Sequence, residues 1–183
     1  MDVQETTLAG VVVLTPRVFA DDRGFFAESF NARQFAAITG LDLTFVQDNH
    51  SHSVRGVLRG IHYQLPPAAQ GKLVRVVEGA ALDVAVDLQR SSPSFGQWVG
   101  VELTAENHRQ LWVPPGFGHG FLALSDAVQL LYKTTDYYAP EYDRAIRWND
   151  PDIDVAWPLD GATPLLSDKD AAAPFLADAE VFA

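Results

Sequence analysis

The chain has 183 residues, 48% apolar and 20% charged, with no cysteine. That length and composition fit one soluble domain with a full hydrophobic core, spanning residues 1–183, and exclude disulfides, thiolate metal sites and cysteine nucleophiles. The formal charge of −11 lacks the basic field of a nucleic-acid binder, yet a few arginines in a cleft can still hold an anionic small molecule.

Met1 to Thr7 carries neither a basic n-region nor an apolar h-region, so no signal peptide is expected. No apolar run approaches the ~18 residues of a membrane span, and the cytoplasm is the expected location. Strand signals then recur in chain order, separated by turn residues. They cover Val11 to Leu14, Gly24 to Phe30 after Asp21-Asp22-Arg23, and Leu43 to Gln47. Val57 to Gln64 ends at Pro66-Pro67, and Lys72 to Glu78 and Ala80 to Leu88 flank Gly79 as a hairpin or near neighbours. Trp98 to Leu103, Gln110 to Val113, Gly120 to Leu124 and Ala127 to Thr135 complete the series. Asn31 is placed to cap a short helix with Phe35 and Ile38 on one face. Ser167 opens a second with a capping-box pattern ending at Asp170, and Pro174 limits its length. Many short strands and few helices indicate an all-β sandwich or barrel.

Several segments can carry chemistry. His50-Ser-His52 would put two imidazoles on one strand face, but no carboxylate follows at ligand spacing and Arg55 would repel a cation, so no metal is expected. Arg59 and His62 lie in one apolar strand and in regular geometry would face opposite ways, unless Gly60 marks a bulge that turns both inward. Taken alone, the more ordinary reading is a surface arginine and a satisfied core histidine. Gln47 and Asn49 share a strand face, and Pro114 to Gly120 forms a rigid turn delivering His119 at a strand start. Tyr132 shares a face with Val128, Leu130 and Thr134, where its hydroxyl needs a partner.

Together these segments form a specific series. Asp22-Arg-Gly-Phe-Phe-Ala-Glu-Ser29, Phe45-Val-Gln-Asp-Asn-His-Ser51, Leu58-Arg-Gly-Ile-His-Tyr-Gln64 and Gln70-Gly-Lys-Leu-Val-Arg75 come first. Ser92-Pro-Ser-Phe-Gly-Gln-Trp98, Leu111 to Gly120, Tyr132-Lys-Thr-Thr-Asp-Tyr-Tyr138, Trp148-Asn-Asp150 and Ser167 to Pro174 follow. The series resembles the dTDP-4-dehydrorhamnose 3,5-epimerase family from about Leu8 to Pro174. The resemblance implies a metal-free, cofactor-free, cupin-type jelly roll that forms homodimers. It also implies inversion of C3 and C5 of dTDP-4-dehydro-6-deoxy-D-glucose, a dTDP-4-keto-6-deoxy sugar.

By position, His62 matches the family's base, Asp170 its paired carboxylate, Tyr132 the proton donor and Tyr138 an aromatic that packs on thymine. Arg23, Glu28, Gln47, Asn49, Arg59, Lys72, His119 and Lys169 match substrate-binding positions. One position departs from the pattern: Asp143 stands where a glutamate is expected, keeping the carboxylate on a side chain one methylene shorter. Arg23, Arg59 and Arg75 are the candidate cations for the diphosphate. Lys72 or Arg59 would face an enolate oxygen. The competing readings are a keto-sugar epimerase acting at C3 or C5 alone, a metal cupin using His50 and His52, and a non-catalytic sugar-nucleotide binder.

Overall fold

Short β-branched runs bounded by glycine and proline turns build two antiparallel sheets, as described for residues 1–183 in a computed structural model. The strands are β1 (Asp2–Glu5), β2 (Val12–Thr15), β3 (Val18–Asp21), β4 (Gly24–Ala27), β5 (Gln47–Val54), β6 (Leu58–Gln64) and β7 (Lys72–Glu78). They continue with β8 (Ala80–Asp87), β9 (Trp98–Thr104), β10 (Gln110–Val113), β11 (Phe117–Ala123), β12 (Ala127–Thr134) and β13 (Asp143–Ala145). Helix α1 spans Ala32–Thr39 and α2 spans Asp168–Ala171. One sheet has the order β1-β2-β10-β7-β12-β5, the other β13-β6-β11-β8-β9, and β3-β4 form a separate hairpin. The two sheets face each other as a jelly-roll sandwich.

Alternation decides what each face meets. Val74 and Val76, Leu111 and Val113, and Val128 and Leu130 project from one sheet to meet Ala81, Ala85, Phe117, Phe121 and Ala123 from the other. The opposite face of the five-stranded sheet is covered by the C-terminal segment: Ile61, Tyr63, Val84 and Val86 pack against Ile146, Ile153 and Leu176. Helix α1, capped by Asn31 accepting from the Gln34 N–H, lays Phe35 on Leu14, Leu73 and Trp112 of the six-stranded sheet.

Three sequence expectations are corrected. Leu43 to Gln47 is not a strand. Leu43 and Phe45 pack toward the Trp112 cluster, and the ladder begins at Gln47 and runs to Val54. That polar stretch has no apolar alternation because its inner face, Gln47, Asn49, Ser51 and Ser53, lines a polar cleft, while backbone pairing with β12 holds it. Secondly, β7 and β8 do not form a hairpin, because Gly79 (φ 77°) carries the chain from one sheet to the other. A Cβ there would lie 2.0 Å from the Ala127 carbonyl oxygen, so no side chain fits. Thirdly, His119 lies inside β11, not at its start. β1, β3 and β13 carry no strong strand signal in the sequence.

Candidate active site

The site forms where polar side chains replace apolar ones between the facing sheets. β6 is the decisive strand. Its register against β11 shifts so that His119 lies opposite His62 but Phe121 opposite Arg59, giving β6 one residue more than its partner. This bulge turns Arg59 and His62 to the same inner side, as the glycine between them predicts. Gly60 has φ 121°, and a Cβ there would lie 2.5 Å from the Gly120 Cα and 2.8 Å from the His119 carbonyl oxygen. Only glycine permits this approach.

His62 Nε2 is hydrogen-bonded to the Asp170 Oδ1. The histidine side chain is 31% exposed and the carboxylate 3%, so the imidazole is reachable while its partner is sealed. Ser167 caps α2 by accepting from the Asp170 N–H at 3.1 Å, and its hydroxyl donates to Asp170 Oδ2 at 2.7 Å. Burial pushes the Asp170 carboxyl up. Hydrogen bonding and charge from His62, with further bonds from Ser167 and the Gly60 N–H, outweigh it and hold the group below its ordinary value. The capping box and the dyad are therefore one construction: the cap aims the carboxylate, and the carboxylate orients the base.

Lys72, buried at the start of β7, donates to the His62 carbonyl at 3.2 Å. Burial pulls its ammonium down to about 8, against the attraction of Asp143 and Asp83. Tyr132 projects from β12 of the opposite sheet, beside Val74 and Asn49 in register. Burial raises its phenol above the ordinary value, Arg59 opposes this and Asp143 adds to it, so the hydroxyl keeps its proton. Arg59 reaches across to β5, donating to Ser53 Oγ at 3.2 Å and the His52 carbonyl at 3.3 Å. His119 Nε2 lies 2.8 Å from Asp83 Oδ1, with both side chains buried.

At the mouth, Gln47 donates to Asn49 Oδ1 at 2.9 Å and accepts from the Tyr138 N–H at 3.1 Å. Tyr138 is 58% exposed, and its hydroxyl donates to Asp143 Oδ2 at 3.1 Å. Lys169 pairs with the same oxygen. Despite its shorter side chain, Asp143 reaches both partners.

Arg23 and Glu28 lie elsewhere. Both sit at the β3-β4 hairpin and its exit, exposed, bonded to Asp21 and Gln34 respectively. Arg75 stands opposite Gln110 and Leu131 on the outer face of its sheet, away from His62, because three steps along a strand reverse the face. His50 and His52 also point outward, with His50 Nε2 2.8 Å from Gln129 Oε1. No group of three His, Cys, Asp or Glu side chains is placed to hold a metal ion.

A base backed by a fixed carboxylate, a facing phenol and a buried ammonium can abstract a proton beside a carbonyl, stabilise the enolate and return a proton from the far side. The dTDP-4-dehydrorhamnose 3,5-epimerase family model matches residues 5–178. The chain belongs to this family of isomerases. A dTDP-4-dehydrorhamnose 3,5-epimerase of Pseudomonas aeruginosa is 56% identical over 182 residues, covering 100% of this chain and 99% of that protein. The crystal structure of dTDP-6-deoxy-D-glucose-3,5-epimerase from Legionella pneumophila, in complex with dTDP-4-keto-L-rhamnose, superposes with a TM-score of 0.94. It is 47% identical and covers 98% of this chain and 94% of that one. A 3'-monoepimerase from Streptomyces bikiniensis in complex with dTDP-quinovose is 40% identical with a TM-score of 0.88, covering 94% and 86%.

Within this 3,5-epimerase architecture, sequence reading missed Asp83, Ser53, Gln64 and Ser167 as supports of the site. Gln64, buried on β6, donates to the Tyr137 carbonyl at 3.1 Å and accepts from the Ala139 N–H at 2.8 Å, fixing the loop that carries Tyr138. Asp83 had a readable signal: a carboxylate amid Ala80-Ala-Leu-Asp-Val-Ala-Val must be buried, and buried carboxylates need a partner. One of its oxygens, Oδ2, has no hydrogen-bond partner.

Proposed function

We propose that this protein inverts C3 and C5 of dTDP-4-dehydro-6-deoxy-D-glucose, giving dTDP-4-dehydro-L-rhamnose. The observation that carries the reading is His62 on one sheet, backed by Asp170 of α2, facing Tyr132 on the other, with Lys72 reaching from the sheet of Tyr132 to the His62 carbonyl. A sugar ring lying between the sheets presents one face to His62 and the other to Tyr132. His62 takes the proton from the carbon beside the C4 ketone, and Asp170 stabilises the imidazolium that forms. The Lys72 ammonium faces the enolate oxygen. Arg59 is less suited to that task because Ser53 and His52 hold its guanidinium toward β5. Tyr132 returns a proton to the opposite face. His62 then loses its proton to solvent and Tyr132 regains one from it, and the reset pair repeats the cycle at the second carbon to complete the double inversion. Tyr138 supplies an exposed aromatic surface for thymine, and Gln47, Asn49, Arg59, His119, Asp143 and Lys169 line the substrate's path. The base and acid are side chains, so the chemistry requires neither metal nor cofactor. The reaction is assigned to the cytoplasm, consistent with a chain lacking cysteine.

Inversion at one carbon is the second reading, favoured by the likeness to the 3'-monoepimerase. Turnover in D₂O, coupled to a reductase that accepts only the doubly inverted sugar, separates the two. The double epimerase takes up deuterium at C3 and C5 and feeds the reductase, whereas uptake at one carbon selects the second reading. In the same assay Tyr132→Phe exchanges deuterium faster than it inverts, because His62 still forms the enolate and returns a proton to the face it came from. Equal slowing of exchange and inversion would move the donor role to water or another group.

We also propose a homodimer. Phe19, Phe25 and Phe26 on the β3-β4 hairpin are 52%, 64% and 70% exposed, an apolar surface a lone chain leaves in water. A second copy that receives the hairpin would bring Arg23 and Glu28 to its own cleft. Light scattering is expected to report a dimer, and Phe26→Asp a monomer with a raised KM. A monomeric wild type at assay concentration would remove this proposal.

A further inference from the structure

Three elements meet at one carboxylate. Asp143 lies on β13, opposite Gln64 of β6, two residues along from the pairing of Ala145 with His62. Its Oδ2 accepts from the Tyr138 hydroxyl, on the loop after β12, and pairs with Lys169 on α2. Lys169 immediately precedes Asp170, the partner of His62. The Asp143 side chain is 13% exposed and that of Lys169 49%, so the anion is fixed in the wall and the cation reaches inward to it.

The helix so held has little of its own to keep it in place. α2 is four residues long, too short to be stable by its backbone bonds alone. Beyond its serine cap it is tied by Arg147, which donates to the Ala173 carbonyl at 3.0 Å and the Ala171 carbonyl at 3.2 Å, both at or beyond its C-terminal end. The Asp143–Lys169 pair acts instead on the turn that carries Asp170. The second ligand of the same oxygen is the ring assigned to the nucleobase.

We propose that Asp143 is a positioning residue that joins the nucleobase platform of Tyr138 to the helix aiming Asp170 at His62, so that one carboxylate aligns both ends of the site. The nucleobase half of this inference rests on the function proposed above. The contacts of Asp143 give it a task beyond touching the substrate: thymine packing on Tyr138 steadies the tyrosine, hence Asp143, hence Lys169 and the dyad.

The test compares wild type, Asp143→Asn, Lys169→Met and the double variant. Steady-state turnover, dTDP binding by calorimetry, and the downfield imidazole N–H resonance of the His62–Asp170 hydrogen bond are measured for each. Asp143→Asn is isosteric and keeps the bulk of the site. The expected result is a fall in kcat of about ten-fold in each single variant, with the His62 resonance broadened or shifted. The double variant should be no worse than the poorer single one, since both changes break one contact. In wild type, dTDP should sharpen the resonance, and in Asp143→Asn it should not. A raised KM and weakened dTDP binding with kcat and the resonance unchanged would overturn the proposal and leave Asp143 a substrate contact. Additive losses in the double variant would overturn it as well. The resonance is read without turnover, so a wild type inactive on the keto-sugar would sink the functional reading and leave this inference to be judged on the spectrum. Should Asp143→Asn fail to fold, Lys169→Met carries the same test from the exposed side of the pair.

Discussion

His62→Ala is expected to lower turnover by about 10²–10⁴-fold, the range over which a positioned general base acts. Deuterium exchange should fall at C3 and C5 together, because in the proposed mechanism the same imidazole forms both enolates. Substrate affinity should change little, since the imidazole contributes to moving the proton more than to holding the nucleotide. The variant also removes one partner of a carboxylate that is only 3% exposed. The Ser167 hydroxyl still holds it, so the loss in stability should lie within the roughly 1–3 kcal/mol of an unmade buried hydrogen bond. His62→Gln, which keeps a donor toward Asp170, controls for this: it should regain stability without regaining turnover. A His62→Ala protein that still exchanges deuterium at near wild-type rates would mean that another residue is the base.

Lys72→Met should lower turnover by about 10²–10³-fold, the scale seen when one donor to a developing oxyanion is removed. The same change should make the protein more stable. The unfolded chain holds the Lys72 proton up to about pH 10.5, whereas burial limits the folded chain to about 8. At about 1.4 kcal/mol per pKa unit, keeping a charged ammonium at this position costs on the order of 3 kcal/mol at neutral pH. Methionine fills similar volume without the charge. Between pH 8 and 10.5 the unfolded state binds the additional proton, so wild-type stability contributed by this group rises with pH there, and Lys72→Met lacks that slope. Turnover moves the other way: it should decline as pH passes about 8 and the ammonium is lost, and Lys72→Arg should shift that limb upward. Melting curves and pH–rate profiles of the three proteins check both signs. Turnover within a few-fold of wild type in Lys72→Met would transfer the enolate contact to Arg59.

Most elements are legible wherever the signal is local. β10 matches the expected Gln110 to Val113, Asn31 and Ser167 cap their helices, and Val128, Leu130, Tyr132 and Thr134 share a face by simple alternation. The bulge at Gly60 was readable because two polar groups that need the same side stood three residues apart with a glycine between them. The polar ladder Gln47–Val54 was not readable past its first residue. Its stability comes from pairing with β12 and its inner face serves a cleft, so the apolar pattern that marks a strand is missing.

The strand-rich class, the helix starts, the lack of thiol chemistry and, through nine ordered motifs, the resemblance to the family are legible without coordinates. Which groups meet is set by the packing of the sheets and the C-terminal segment. His62 and Asp170 are 108 positions apart, His119 and Asp83 36, and Lys169 reaches Asp143 across 26. The structure also separated β7 from β8 into opposite sheets, turned Arg75 outward and left Arg23 and Glu28 on a hairpin away from the cleft. The reason is physical. Backbone preference and side-chain alternation act over a few residues and leave a local imprint. The facing of two sheets is set by burial summed over the whole chain, which no single segment records.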